Sequence, residues 1–289
     1  MHQPAEISSI PLRDTVLDLS SRCRIMGILN VTPDSFSDGG QYDDSASAVD
    51  HALCMVEEGA DIIDIGGEST RPGAQPVPAE EEIARVVPVI RGIRARSGIP
   101  ISIDTRKVAV AETALEAGAD IINDISALRH DGAMADCASR HGVPVVLMHM
   151  QGTPENMQIA PHYDDVVEEV LAFFRERLEF CRMKGIRHPV IDPGIGFGKT
   201  VEHNLALLRA LPRIAALGAP VLVGASRKSF LGALTGLPVD QRLGASIASH
   251  VLACRTGARL LRVHDVRETR AALDVLYAIE GRKGVAHAV

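Results

Sequence analysis

The sequence contains no tryptophan, and aromatic residues make up only 3% of its 289 positions. A core of this size must therefore be aliphatic, which suits the Val/Ile/Leu layers of a parallel barrel. No apolar stretch reaches the ~18 residues that a membrane-spanning helix needs, and no basic segment leads into a short apolar run near the start. The expectation is a cytoplasmic chain with no membrane association. The five cysteines are odd in number and none forms a CxxC pair. That leads to the expectation of reduced thiols. The formal net charge of -7 argues against a general nucleic-acid-binding surface. Neither HxH nor HExxH occurs, so the scattered histidines carry no zinc signature, and His149 reads as a packed or positioned ring.

What is present is a regular alternation. Short runs rich in Ile, Val and Leu occupy residues 25–29, 62–65, 101–103, 121–122, 143–148, 190–191, 221–223 and 260–263. They do not alternate in polarity, the pattern of strands buried on both faces of a parallel sheet. Amphipathic segments follow at 45–58, 80–96, 108–117, 133–140, 164–184, 201–211, 241–256 and 267–279. Several end at a glycine, as helix C-caps do. Eight strands and eight helices predict an α/β fold, a single (β/α)₈ TIM barrel over residues 24–280. The rival is a doubly wound open sheet, which usually carries GxGxxG at its first strand–helix turn; none occurs there. Residues 1–23 read as an N-terminal extension that caps the barrel bottom, and 281–289 as a tail.

Catalytic groups of such barrels lie at the carboxyl ends of the strands. Here those positions hold Asn30, the stretch Gly66-Gly67-Glu68-Ser69-Thr70-Arg71, Asp104, Asn123-Asp124, His149, Asp192, Ser226-Arg227-Lys228-Ser229, and Arg262 with His264. Convergence of so many polar groups on one rim is hard to explain as structure, because unpartnered buried polar groups are costly. Asp104, Asn123 and Asp192 suit a flat heterocycle with ring N–H and amino donors. Lys228, Arg262 and His264 suit an anion. The structural alternative is a salt-bridge network joining Asp192, Lys228 and Arg262. Gly194-Ile195-Gly196-Phe197-Gly198-Lys199-Thr200 only imitates a phosphate-binding P-loop, since Pro193 stands where the first glycine is required. Residues 31–44 and 66–79 read as unusually long loops after the first two barrel strands, suited to act as active-face lids.

Ile28-Leu29-Asn30-Val31-Thr32-Pro33-Asp34-Ser35-Phe36-Ser37-Asp38-Gly39, Asp64-Ile65-Gly66-Gly67-Glu68-Ser69-Thr70-Arg71-Pro72-Gly73, Asp192-Pro193-Gly194-Ile195-Gly196-Phe197-Gly198-Lys199, Ser226-Arg227-Lys228-Ser229 and Arg262-Val263-His264-Asp265 together resemble the dihydropteroate synthases. The resemblance runs from about residue 25 to 279. It implies a transferase of folate biosynthesis that joins 4-aminobenzoate to 6-hydroxymethyl-7,8-dihydropterin pyrophosphate by a dissociative substitution. It also implies a homodimer, sulfonamide sensitivity and a Mg²⁺ cofactor reached through Asn30. Carried over by position, Asp104, Asn123, Asp192, Lys228, Met148, Phe197 and Gly224 would hold the pterin. Thr70, Arg71, Pro72, Phe36, Phe197 and Ser229 would form the 4-aminobenzoate pocket. Asn30, Arg262 and His264 would bind pyrophosphate, and Asp104, Asn30, Lys228, Arg262 and His264 would carry the chemistry.

Two other readings share some of these features. A pterin-dependent methyltransferase domain has the same barrel and acidic pocket, but it typically works beside a corrinoid partner, and no corrinoid-binding segment is visible. A non-catalytic pterin-binding relative would not need Asn30, Arg71, Lys228 and Arg262 intact.

Overall fold

The computed structural model describes residues 8–32, 41–69 and 76–281. Two short strands, β1 (Ser9–Pro11) and β2 (Val16–Asp18), pair antiparallel as a hairpin. Eight further strands close into a parallel barrel: β3 (Arg24–Asn30), β4 (Ile62–Gly66), β5 (Ile101–Asp104), β6 (Ile121–Asp124), β7 (Val145–Met148), β8 (Pro189–Asp192), β9 (Val221–Val223) and β10 (Ala258–Val263). β10 pairs with β3 to complete the ring. This is the (β/α)₈ barrel that the alternation predicts, with strand ends extended by a residue or two to include Asn30, Asp104, Asn123 and Asp192.

The helices are α1 (Gln41–Glu57), α2 (Ala79–Arg94), α3 (Val108–Ala117), α4 (Met134–His141), α5 (Val166–Lys184), α6 (Val201–Arg209), α7 (Leu211–Ala215), α8 (Ser229–Thr235), α9 (Leu243–Arg255) and α10 (Val266–Ile279). Their ends follow local chemistry. Asp165 accepts from Val167 N and Glu168 N to start α5, and Gly185 in the left-handed region ends it. Three places differ from the sequence reading by more than two residues. The segment 201–211 breaks at Ala210, because Pro212 opens a new helix there. Ser229–Thr235 forms a seven-residue helix that its short, weakly periodic sequence conceals. α1 begins at Gln41, so the loop after β3 is four residues shorter than expected.

Period-two alternation divides the strand residues between two environments. Ile25, Leu29, Ile63, Ile65, Ile103, Ile122, Leu147, Ile191, Val223 and Leu261 face the helices and form the main core with them. Met26, Ile62, Ile121, Val146, Val190, Leu222 and Leu260 face inward and form a second cluster with Ile10, Leu17 and Leu19 from the hairpin and the residue after it. The hairpin thus stoppers the amino-terminal end of the barrel. Burial of Leu19, which is fully enclosed, contributes roughly 2 kcal/mol of hydrophobic stabilisation.

Cys23 at the entry to β3 and Cys254 on α9 are brought together, with their Cα atoms 6.3 Å apart. They are 231 positions apart, and only closure of the ring between β10 and β3 brings them together. Cys54, Cys137 and Cys181 are free. No helix among the described residues is long and apolar enough to cross a membrane.

Candidate active site

The same alternation that fills the barrel bottom with aliphatics lines its upper interior with polar groups. Continuing each inward column by two residues leads from Ile62 to Asp64, Ser102 to Asp104, Ile121 to Asn123, Val146 to Met148, Val190 to Asp192, Leu222 to Gly224 and Leu260 to Arg262. Register places these side by side: Asp104 opposite Gly66 and Asn123, and Met148 opposite Asp192. Asp64, Asp104, Asn123, Met148 and Asp192 are all buried.

Arg262 organises one side. Its Nε donates to Asp64 Oδ2 at 2.6 Å and its Nη2 to Asp104 Oδ2 at 2.8 Å. Asn123 Nδ2 donates to the same Asp64 oxygen at 3.1 Å. Asp64 was absent from the sequence-based set because it lies inside an apolar run; its parity with Ile62 is the signal that would have found it. Burial, together with the nearby carboxylates of Asp64, Glu82 and Asp124, pushes Asp104 up to about 7 even though Arg262 pulls the other way. Burial disfavours the charged guanidinium of Arg262, but Asp64 and Asp104 more than offset this and raise its proton affinity. The network joining Asp192, Lys228 and Arg262 does not form among the described residues; Arg262 pairs instead with Asp64 and Asp104.

Asp192 stands opposite. Burial raises it to about 6, against the backbone N–H of Gly194, which donates to Oδ1 at 2.7 Å, and against the charges of Lys228, Arg262 and Lys199. The loop that follows turns sharply. Gly194 and Gly198 have φ of 67° and 59°, and a Cβ on either would lie 2.0 Å from His149 O or 2.7 Å from Gln151 O. Only glycine fits such an approach. The loop folds over Lys199, a buried lysine that sequence reasoning assigned no role. Its Nζ donates to Phe197 O at 2.9 Å and His149 O at 3.2 Å, and meets His149 Nδ1 at 3.1 Å. Burial lowers it to about 7. His149 packs edge-on against Phe173, and burial with the neighbouring Lys199 charge lowers its proton affinity. The expectation of a packed, positioned histidine is borne out.

Phe197 joins Ile125, Met148, Met150 and Met157 in an apolar shelf at the mouth. Lys228 Nζ lies 3.9 Å from the centre of the Phe197 ring, a cation–π contact. Burial and repulsion from Arg262 lower Lys228 to about 8, against the attraction of Asp192 and Asp104. Arg227 just before it has φ of 56°, strained for a residue with a Cβ. Its backbone N–H donates to Ser246 Oγ at 2.9 Å and its Nε to Asp265 Oδ2 at 3.0 Å, which holds the strained turn and aims Lys228. Ser229 opens α8 at the exposed edge.

His264 Nδ1 lies 3.0 Å from Ser226 Oγ. Partial desolvation and the cationic Arg262 and Arg227 beside it lower its proton affinity. Asn30 ends β3 opposite Gly66, at the same level of the mouth. At the stem of the second long loop, Glu68 pairs with Lys107 and, at 2.7 Å, with Arg106, while Val77 N donates to Glu68 Oε2 at 3.0 Å. Lys107 also reaches Glu82 Oε2 at 2.6 Å. The expected 4-aminobenzoate contacts Phe36, Thr70, Arg71 and Pro72 lie outside the described residues.

The sequence profile of the family described as "Pterin binding enzyme" matches residues 26–264. The dihydropteroate synthase of Escherichia coli K12 is 49% identical over 266 residues, covering 91% of this chain and 94% of that protein. This chain belongs to the dihydropteroate synthase family. Two solved structures agree in fold. The Yersinia pestis dihydropteroate synthase in a sulfonamide drug complex superposes with a TM-score of 0.89 at 46% identity, covering 94% of this chain and 99% of that one. The Xanthomonas albilineans dihydropteroate synthase in complex with 7,8-dihydropteroate gives 0.84 at 49% identity, covering 93% and 99%. As a dihydropteroate synthase, the chain is a transferase of folate biosynthesis, and the barrel mouth is where its family's chemistry has to be accommodated.

Proposed function

We propose that this barrel mouth binds 6-hydroxymethyl-7,8-dihydropterin pyrophosphate with the pterin deep and the pyrophosphate toward Asn30, Arg262 and His264, and then condenses it with 4-aminobenzoate. The column of acceptors at Asp104, Asn123 and Asp192, closed by cationic Arg262 and Lys228, is the observation that carries the reading. A pterin offers ring N–H and amino donors, which a buried carboxylate at Asp192 would accept at ~1.5–3 kcal/mol each. Met148 and Phe197 supply the apolar shelf for the ring, and Gly224 leaves room beside Arg262 Cβ for a flat ligand.

The substitution is read as dissociative. The C–O bond to pyrophosphate breaks first, and Asp104 would stabilise the developing pterin methylene cation electrostatically. Arg262, released from Asp104 toward the departing anion, would serve both halves of the step. An arylamine is a neutral nucleophile, so no general base is required. The loops after β3 and β4, with Phe36, Thr70, Arg71, Pro72 and Ser229, would hold 4-aminobenzoate and keep out water, a competing nucleophile.

Mg²⁺ suits this donor set. Asn30 offers one hard, neutral oxygen, and Mg²⁺ commonly takes its remaining positions from phosphate and water. When bound, the ion would neutralise charge on the leaving pyrophosphate. Exposed Leu234, Val239 and Leu252, on and beside α8 and α9, support a homodimer through that side. The relative that binds a sulfonamide supports sulfonamide competition at the arylamine pocket.

A coupled pyrophosphate assay tests the reading. Release should require the pterin pyrophosphate and Mg²⁺ and be raised strongly by 4-aminobenzoate, with 7,8-dihydropteroate formed in step; no increase on adding 4-aminobenzoate would overturn it.

A further inference from the structure

Away from the mouth, the groove between α3 and α4 brings together three side chains that the sequence keeps apart. Cys137 and His141 are four residues apart on α4 and so share one face of the helix. Glu112 faces them from α3. A carboxylate oxygen of Glu112, Cys137 Sγ and a ring nitrogen of His141 all lie within 4.8 Å of one another, and His141 Nε2 is 3.7 Å from Glu112 Oε1. Chain direction in a βα barrel puts the end of α4 toward the stoppered end, away from the substrates.

We propose that Glu112, Cys137 and His141 form a binding site for a zinc-class divalent cation. The donor types are the argument. One thiolate sulfur, one imidazole nitrogen and one carboxylate oxygen are a borderline-soft set that favours Zn²⁺ over Mg²⁺ or Ca²⁺. Three such ligands, with a fourth position open on the solvent side, make a tetrahedral site with bound water. Cys137 supplies the buried wall, and the half-exposed Glu112 and His141 leave a path for the ion. Without metal, burial and the neighbouring Glu112 carboxylate hold the Cys137 thiol protonated. Binding forms the Zn–S bond as the thiol proton leaves to solvent, so the carboxylate changes from a group that opposes the thiolate to a co-ligand of its metal. Arg140 competes: it donates to Glu112 Oε1 in an exposed ion pair, and such pairs hold their partners weakly. The site would staple α3 to α4 and leave the active-site groups untouched.

Co²⁺ is a direct probe. Chelator-treated full-length protein, kept in excess Mg²⁺ to saturate harder sites, is titrated with Co²⁺ and then Zn²⁺. The expected result is one Co²⁺ per chain, with a near-ultraviolet thiolate-to-metal charge-transfer band and tetrahedral visible bands that an equivalent of Zn²⁺ abolishes. Cys137→Ala and His141→Ala should remove the band, Glu112→Gln should weaken binding at least about tenfold, and Cys54→Ser should leave it intact. Arg140→Ala should tighten binding about threefold by freeing the carboxylate. Turnover should stay at the wild-type level in all of these variants. If Cys137→Ala fails to fold, His141→Ala decides alone, because that side chain is at the surface. Absence of the charge-transfer band in wild type, or its survival in His141→Ala, would overturn the proposal.

Discussion

Arg262 donates to Asp104 at 2.8 Å from three strands away around the barrel, and the same guanidinium holds Asp64 at 2.6 Å. A buried carboxylate proposed to stabilise a cation is thus held, in the free protein, by a cation of its own. Asp104→Asn keeps the shape and an acceptor oxygen but removes the charge. Its kcat should fall at least about 100-fold, while pterin affinity changes far less. Steady-state pyrophosphate release measured beside direct pterin binding separates the two, and full turnover in the variant would remove Asp104 from the chemistry.

The protonation of Asp192 predicts a pH dependence of pterin binding. Burial places the group near 6, so its acceptor form fills in as pH rises from 5 to 7. Pterin affinity should climb over that interval, and Asp192→Asn should be weak and lose most of the rise below pH 6, leaving the part that Asp104 contributes near 7. Fluorescence titration across pH reads this; an unchanged slope in the variant would show that another group sets the profile.

Lys199 makes a different pH prediction, about stability. The folded protein gives up this proton near 7, whereas the unfolded chain keeps it to about 10.4. Between those values the unfolded state binds more protons, so the lysine's contribution to stability rises with pH. The urea midpoint of wild type relative to Lys199→Met should therefore increase from pH 7 to 10. Because Lys199 ties Phe197 O to His149 O, the variant should also bind pterin roughly tenfold more weakly through a loosened loop. A constant midpoint difference would mean that the amine stays charged in its pocket.

Leu19→Ala separates stability from function. Its side chain is fully enclosed at the barrel floor. The truncation should cost ~2–5 kcal/mol by equilibrium unfolding. kcat and KM at 25 °C should remain those of wild type, since no substrate group reaches that level. A changed KM would imply that the floor sets the geometry of the mouth.

The alternation of apolar runs with amphipathic segments was enough to read the barrel, because eight strands buried on both faces need eight continuous aliphatic runs. The polar residue ending each run was legible for the same reason. Asp64 was not, since a charge inside an apolar run looks like an interruption until strand parity turns it inward beside Arg262. Lys199 was obscured by a glycine pattern that imitates a phosphate loop, and its partner His149 lies 50 positions away. Cys23 with Cys254, and Glu112 with Cys137 and His141, depend on contacts between elements that no local pattern encodes. Ser229–Thr235 was too short to show a helical period.

The hairpin that stoppers the barrel makes it a vessel with a single doorway. Under the proposed arrangement the pterin rests low in that vessel and the arylamine near the rim, so the sequence of arrivals is fixed by depth. A 4-aminobenzoate that came first would find half of its surroundings missing and would stand in the path of the second guest. The arylamine alone should therefore register little or no binding heat, with strong binding appearing only once a pterin ligand and pyrophosphate already occupy the places beneath it.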